Sequence, residues 1–136
     1  MILAPGYYEI EREIERMKNI LNSVKGVLGI TEDYTHFDQQ LLMHINSVFT
    51  ILNQLGIGPV KGFIADHKSD WDDFFKDDEL QQELVKSYVY IKVRLLFDPP
   101  TSSFVLESLQ KQANEYEWRL NVLVDPKVEE GVNHGS

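Results

Sequence analysis

The chain has 136 residues, of which 43% are hydrophobic and 26% are charged, and its net charge is −9. This composition predicts one soluble globular domain with its own core and excludes a disordered chain. The negative charge disfavours proteins that bind nucleic acid through its phosphates, and the absence of cysteine excludes disulfides and thiolate metal sites.

The N-terminal part of the chain predicts a loose lead-in over residues 1–6 and then a helix over about 7–28. Apolar residues in this helix recur alternately four and three positions apart, which is the heptad spacing of a helix that packs along one side. They are Ile10, Ile14, Met17, Leu21, Val24 and Leu28. Gly29 is typical of the residue that follows a helix in the left-handed conformation.

A second helix is predicted over about 35–55, with Thr35 and Asp38 as a variant capping box. Gly56 and Pro59 mark its end.

A connection follows over residues 59–69, in which we expect Gly62, Phe63 and Ile64 to hold the loop against the core. Ser69 or Asp70 is then expected to cap a short helix near 70–76.

The densest apolar run lies between Tyr88 and Phe97 and alternates like a β-strand. Its wider context favours a helix over about 78–97, because apolar residues from Leu80 to Leu95 recur at helical spacing. Two prolines from Pro99 on end it.

A fourth helix is predicted over about 102–123, capped by Thr101 or Ser102. The sequence therefore predicts an all-α bundle of four main helices in one domain, residues 1–124. Residues 125–136 lack periodicity and are expected to form a disordered tail.

Residues that could carry chemistry do not form a recognisable motif. The four histidines lack the spacing of a metal site, and no serine lies in a nucleophile turn. The acidic run between Asp66 and Asp78 lacks the glycine and glutamate of a calcium-binding loop. We therefore predict no enzyme, no metal and no cofactor. A small enzyme that uses carboxylates around 66–79 is the remaining catalytic alternative.

Aromatic side chains give the main candidates for protein contacts. Trp118 lies about 200° around its helix from Tyr116, so it should point away from the packed side. It either covers the edge of the bundle or binds a partner, since exposed aromatics often anchor interfaces. The same alternatives hold for Trp71, Phe74 and Phe75, where packing under the loop is favoured. The candidate interface residues are Trp118, Arg119, Val122, Asp125, Pro126, Trp71 and Phe74.

Several segments resemble the head–tail connector family of long-tailed phages and prophages. They are KNILNSVKGVLGI (18–30), LNQLGIGP (52–59), VRLLFDPPTSSFVLESL (93–109) and EYEWRLNV (115–122). The resemblance covers roughly residues 17–124, and residues 1–16 depart from it.

The resemblance implies a non-catalytic helical protein of the neck at the head–tail junction of the virion, assembled in the host cytoplasm. Members form a twelve-fold ring below the portal, extend the DNA channel and meet the next neck or tail-completion protein. The family's C-terminal segment is expected to engage the portal, and a monomer in dilute solution is compatible with a ring that forms on the portal. No sequence-specific nucleic acid and no membrane are expected as partners. The alternative is an acidic helical interaction module that binds a host protein or mimics DNA.

Overall fold

The computed structural model describes residues 6–76 and 81–124 of the chain. These residues form six α-helices and no strand, which confirms the predicted all-α class. The helices are α1 (Tyr7–Lys18), α2 (Ile20–Val27), α3 (Asp38–Gln54), α4 (Trp71–Phe75), α5 (Gln82–Phe97) and α6 (Ser103–Val124). The predicted helix start at 78 and the predicted disordered tail, 125–136, lie outside the described residues.

The central helix of the bundle is α5. It packs against α3 and α6 and, over a smaller area, against α2. Its Val85, Tyr88, Val89 and Val93 are completely buried. The apolar run that alternates like a strand is therefore helical, because neighbouring helices complete the burial of its helical stripe. That stripe packs within one subunit.

The predicted helix over 7–28 is two helices, α1 and α2, so this prediction was wrong at one position. Asn19 has an extended backbone with ψ of 130°, and its side-chain oxygen accepts a hydrogen bond from the Asn22 N–H at 2.9 Å, which caps α2. The Ile20 N–H donates to the Ser69 carbonyl at 3.0 Å. A contact between segments distant in sequence thus ends α1 at Lys18.

Glycines end two helices in the way that the sequence predicts. Gly29 and Gly56 have positive φ angles of 77° and 86°. After Gly56, the Ile57 N–H donates back to the Leu52 carbonyl at 2.9 Å. This pattern satisfies carbonyl groups that a helix end would leave unpaired.

The predicted capping box at Thr35 is wrong. Helix α3 begins at Asp38, with Phe37 at its N-cap and no side-chain cap. The Asp38 carboxylate instead lies 2.9 Å from the Lys25 ammonium, and both side chains are buried. Asp38 is not available for capping because it compensates the buried charge of Lys25.

Candidate protein interfaces

Trp71 and Phe74 lie in the core, with only 2% of each residue exposed. The Trp71 indole N–H donates to the Ser23 hydroxyl at 3.0 Å, and the Phe74 ring stacks on Phe49 with centroids 4.8 Å apart. The capping box at Asp70 fixes the short helix that carries them. Packing under the loop, the favoured alternative, is what the structure shows for these two residues, and a partner cannot reach them in this conformation.

In the loop above this cluster, residues 59–69, Phe63 is an anchor and Ile64 is not. Phe63 contacts the rings of Phe49 and Phe74 edge-on, with centroids 5.3 and 5.4 Å apart. Ile64 is 84% exposed, so the expectation that it anchors the loop was wrong. Val60, at the tip of the loop, is 98% exposed. The loop therefore presents two aliphatic side chains to solvent.

The outer face of α6 carries the exposed tryptophan. Trp118 is 65% exposed, which confirms the predicted position away from the core. It borders a shallow depression together with Leu55, the residue that follows α3, so it lies at the edge of the bundle. Arg119 is held by Glu115 at 2.7 Å, and Val122 is partly buried.

Phe104 is a candidate that the sequence interpretation missed. It is 78% exposed and lies fourteen residues before Trp118 on α6. Fourteen residues are close to four helical turns, so both rings lie within about 40° of each other around the helix. The angular argument that identifies Trp118 would have identified Phe104 as well. The outer face of α6 thus carries an aromatic ring near each end.

The two ends of the bundle differ in their exposed apolar residues. At the hairpin end, where residues 98–102 join α5 to α6, Leu96, Phe104 and Val105 are exposed. At the tail end, where α3 and α6 terminate, Val60 and Leu123 are exposed. A cleft at the tail end lies between the loop 56–61 and the ends of α4 and α6. Asp125 and Pro126, the remaining candidates, follow this end and lie outside the described residues.

A partly buried hydrogen bond links α6 to α5 beneath its outer face. The Tyr88 hydroxyl donates to Glu117 Oε2 at 2.7 Å. Burial, then this hydrogen bond and the charge of Glu117, raise the pKa of Tyr88. The bond joins two consecutive helices and places Glu117 on the side of α6 that faces α5.

Comparison with known families identifies the chain. The model of a family described as phage connector protein matches residues 20–127. The chain belongs to this family. The match confirms the resemblance based on the segments at 18–30 and 93–109. No curated protein and no solved structure matched the chain.

Membership defines a broad role for this connector. The family is one of structural proteins, so the chain is a structural component of phage particles that interacts with other virion proteins. The match begins at residue 20, the first residue of α2. The whole of α1 therefore lies before the matched region.

The described part of the connector offers no constellation for metal chemistry. Within residues 6–76 and 81–124, no group of three or more histidine, aspartate or glutamate side chains could hold a metal ion. No helix in the same residues is long and apolar enough to cross a membrane. The surfaces that remain as candidate sites are the outer face of α6 and the two apolar ends of the bundle.

Proposed function

We propose that this connector docks below the portal as a ring at the head–tail junction and extends the DNA channel towards the tail. The family match over residues 20–127 is the observation that carries this proposal. The ring and its position below the portal are what the family resemblance implies.

The distribution of exposed apolar residues supports the proposal. A subunit of a stacked ring needs a contact surface towards the particle above, another towards the protein below, and two different lateral surfaces. Exposed apolar residues that cluster at an end of the bundle are typical of a contact surface. Here the hairpin end exposes Phe104 at 78% and the tail end exposes Val60 at 98%.

The tail end is the surface that we assign to the portal. Residues 125–136 follow Val124, which lines the cleft at this end. Trp118, Arg119 and Val122 lie on the last turns of the same helix. The hairpin end, with Leu96, Phe104 and Val105, is then left for the next neck protein.

The charge of the chain suits a DNA channel. A wall that neutralises phosphates would hold the genome, because phosphate contacts provide most of the affinity for DNA. A subunit with a net charge of −9 does not, as a whole, neutralise the phosphates of DNA. We infer that the ring lets DNA slide.

The experiment is binding of the purified connector to portal rings of the same phage, with the full chain compared with a variant that ends at Val124. We expect the shortened chain to keep its far-UV circular dichroism and to bind the portal more weakly. The matched control is Phe104→Ala at the opposite end, which should leave portal binding unchanged. Undiminished binding of the shortened chain would contradict the role of residues 125–136, and no binding of the full chain would contradict the portal as partner.

A further inference from the structure

The cleft at the tail end has an apolar lining that the described residues leave open. It has a volume of about 630 Å³ and lies where the loop 56–61, the ends of α4 and α6 and the start of α5 meet. Phe75 and Val85 line it and are buried, whereas Val60 and Leu123 are 98% and 50% exposed. A cavity of this size is typical of a binding site, and exposed apolar residues around it are typical of a contact surface. The cleft therefore indicates a contact with a further segment of protein.

The end of α6 is fixed at the edge of this cleft. Val124 lines the cleft and also packs against the core. Its Cγ1 lies only 3.0 Å from the place that a Cβ on Gly56 would take, so the helix end rests on the loop that borders the cleft. Residues 125–136 therefore start at the wall of the cleft. Pro126 disfavours the helical conformation at the residue before it, which favours a change of direction directly after Val124.

The segment that starts there has the length and the apolar residue that the cleft requires. Its sequence is DPKVEEGVNHGS, residues 125–136. Val128 follows Val124 by four residues, and four residues span at most about 14 Å. Val128 can therefore reach the cleft without any movement of α6.

Opposite charges add to this apolar match. Glu129 and Glu130 follow the valine directly. Lys61 and Lys76 line the cleft, and neither forms an ion pair with any residue that the structure describes. Residues 77–79 are acidic and follow Lys76 in the sequence, so Lys61 is the cation that we pair with the two glutamates.

We propose that residues 125–136 occupy this cleft of their own chain in the free connector and leave it when the portal binds. The same chain is the occupant rather than a neighbouring copy, because a segment attached at the wall of the cleft has a local concentration in the millimolar range or above. Release on the portal rests on the proposed function, which assigns this segment to the portal. Docking in the cleft does not depend on that function.

The reactivity of a single thiol tests the docking, since the chain contains no cysteine. The rate at which Val128→Cys reacts with a soluble maleimide is measured in dilute protein, alone and combined with Lys61→Glu. We expect Lys61→Glu to raise the rate at least about fivefold, because a docked thiol reacts only after local release. Loss of a nearby cation by itself would slow the thiol, so the two effects have opposite signs. Lys68→Glu is the matched control, because it makes the same change of charge at an exposed lysine that does not line the cleft, and it should leave the rate unchanged.

Two results of this measurement would overturn the docking. One is an equal rate with and without Lys61→Glu. The other is a rate for Val128→Cys that falls as the protein concentration rises, which would mean that the cleft takes the segment of another copy.

A disulfide tests the release. Val60→Cys/Val128→Cys is oxidised in dilute protein, and we expect a bond within one chain that weakens binding to portal rings until it is reduced. Val60→Cys alone is the control and should bind equally before and after reduction. Full portal binding by the oxidised double variant would contradict the release. Slow reaction of Val128→Cys that Lys61→Glu accelerates, together with no portal binding by the unsubstituted chain, would support the docking while contradicting the proposed function.

Discussion

Replacement of Lys25 by methionine should destabilise this connector strongly, although Lys25 takes no part in the proposed interfaces. The residue is only 1% exposed. Its ammonium lies 2.9 Å from Asp38 Oδ1 and donates to the Glu32 carbonyl at 3.0 Å. The contact with Asp38 is close enough for an ion pair but is not aligned as a hydrogen bond. Lys25→Met would leave the Asp38 carboxylate buried without its counter-charge.

The magnitude follows from the burial of both partners. Removal of one partner from a buried ion pair costs about 3–5 kcal/mol, whereas replacement of both by apolar residues is often close to neutral. We expect Lys25→Met to lower the free energy of unfolding by an amount in that range. The double variant Lys25→Met/Asp38→Leu should recover a large part of the loss.

Urea unfolding followed by far-UV circular dichroism measures these free energies at one fixed protein concentration. The matched control is Lys18→Met, which breaks an exposed ion pair of 3.3 Å with Glu15 and should cost less than about 1 kcal/mol. Asp38→Leu is measured as the second single variant. A loss below about 1 kcal/mol for Lys25→Met would refute the reasoning. A loss in the double variant that equals the sum of the losses in the two single variants would refute it as well.

Three further variants test other parts of the structure. Gly58→Ala should cost at least about 1–2 kcal/mol of unfolding free energy, because Gly58 has a φ of 87° and a Cβ there would lie 2.5 Å from the Phe74 ring; an unchanged urea midpoint would contradict this. Trp118→Ala should change the stability by no more than about 0.5 kcal/mol, since the side chain is exposed, and should weaken portal binding; a large loss of stability with full binding would reverse its assignment. Tyr88→Phe should reduce the loss of stability at high pH. The pKa of Tyr88 is raised in the folded state, so above about pH 10 this tyrosine ionises first in the unfolded chain, and stability that is present below that pH is lost as pH rises. If the free energy of unfolding falls with the same slope above about pH 10 in Tyr88→Phe and in the unsubstituted protein, the reasoning is contradicted.

Local patterns in the sequence predicted most of the fold. The glycines after α2 and α3, the prolines after α5 and Asp70 as the N-cap of α4 are all local signals. The break at Asn19 could not be predicted in the same way. The heptad spacing runs through it without interruption, and its cause is a bridge to Asp70, which is distant in the sequence.

For the candidate site, the sequence predicted the exposure of a side chain where its position around a helix decides that exposure. Trp118 was predicted to lie off the core from its position relative to Tyr116, and the structure confirms this. The burial of Lys25 was not predictable, because nothing in the local pattern shows that Asp38 will meet it. Ile64 was expected to hold the loop against the core, but its neighbour Phe63 makes that contact, with Phe49 and Phe74, and Ile64 is exposed.

The measurement that tests the central claim most directly is the mass of the complex between this connector and the portal ring of the same phage. The two proteins are mixed with the connector in excess, and the complex is purified and weighed by native mass spectrometry. The account predicts a closed ring with twelve connector subunits on each portal. A portal that carries no connector, or one or two copies without a closed ring, would contradict it.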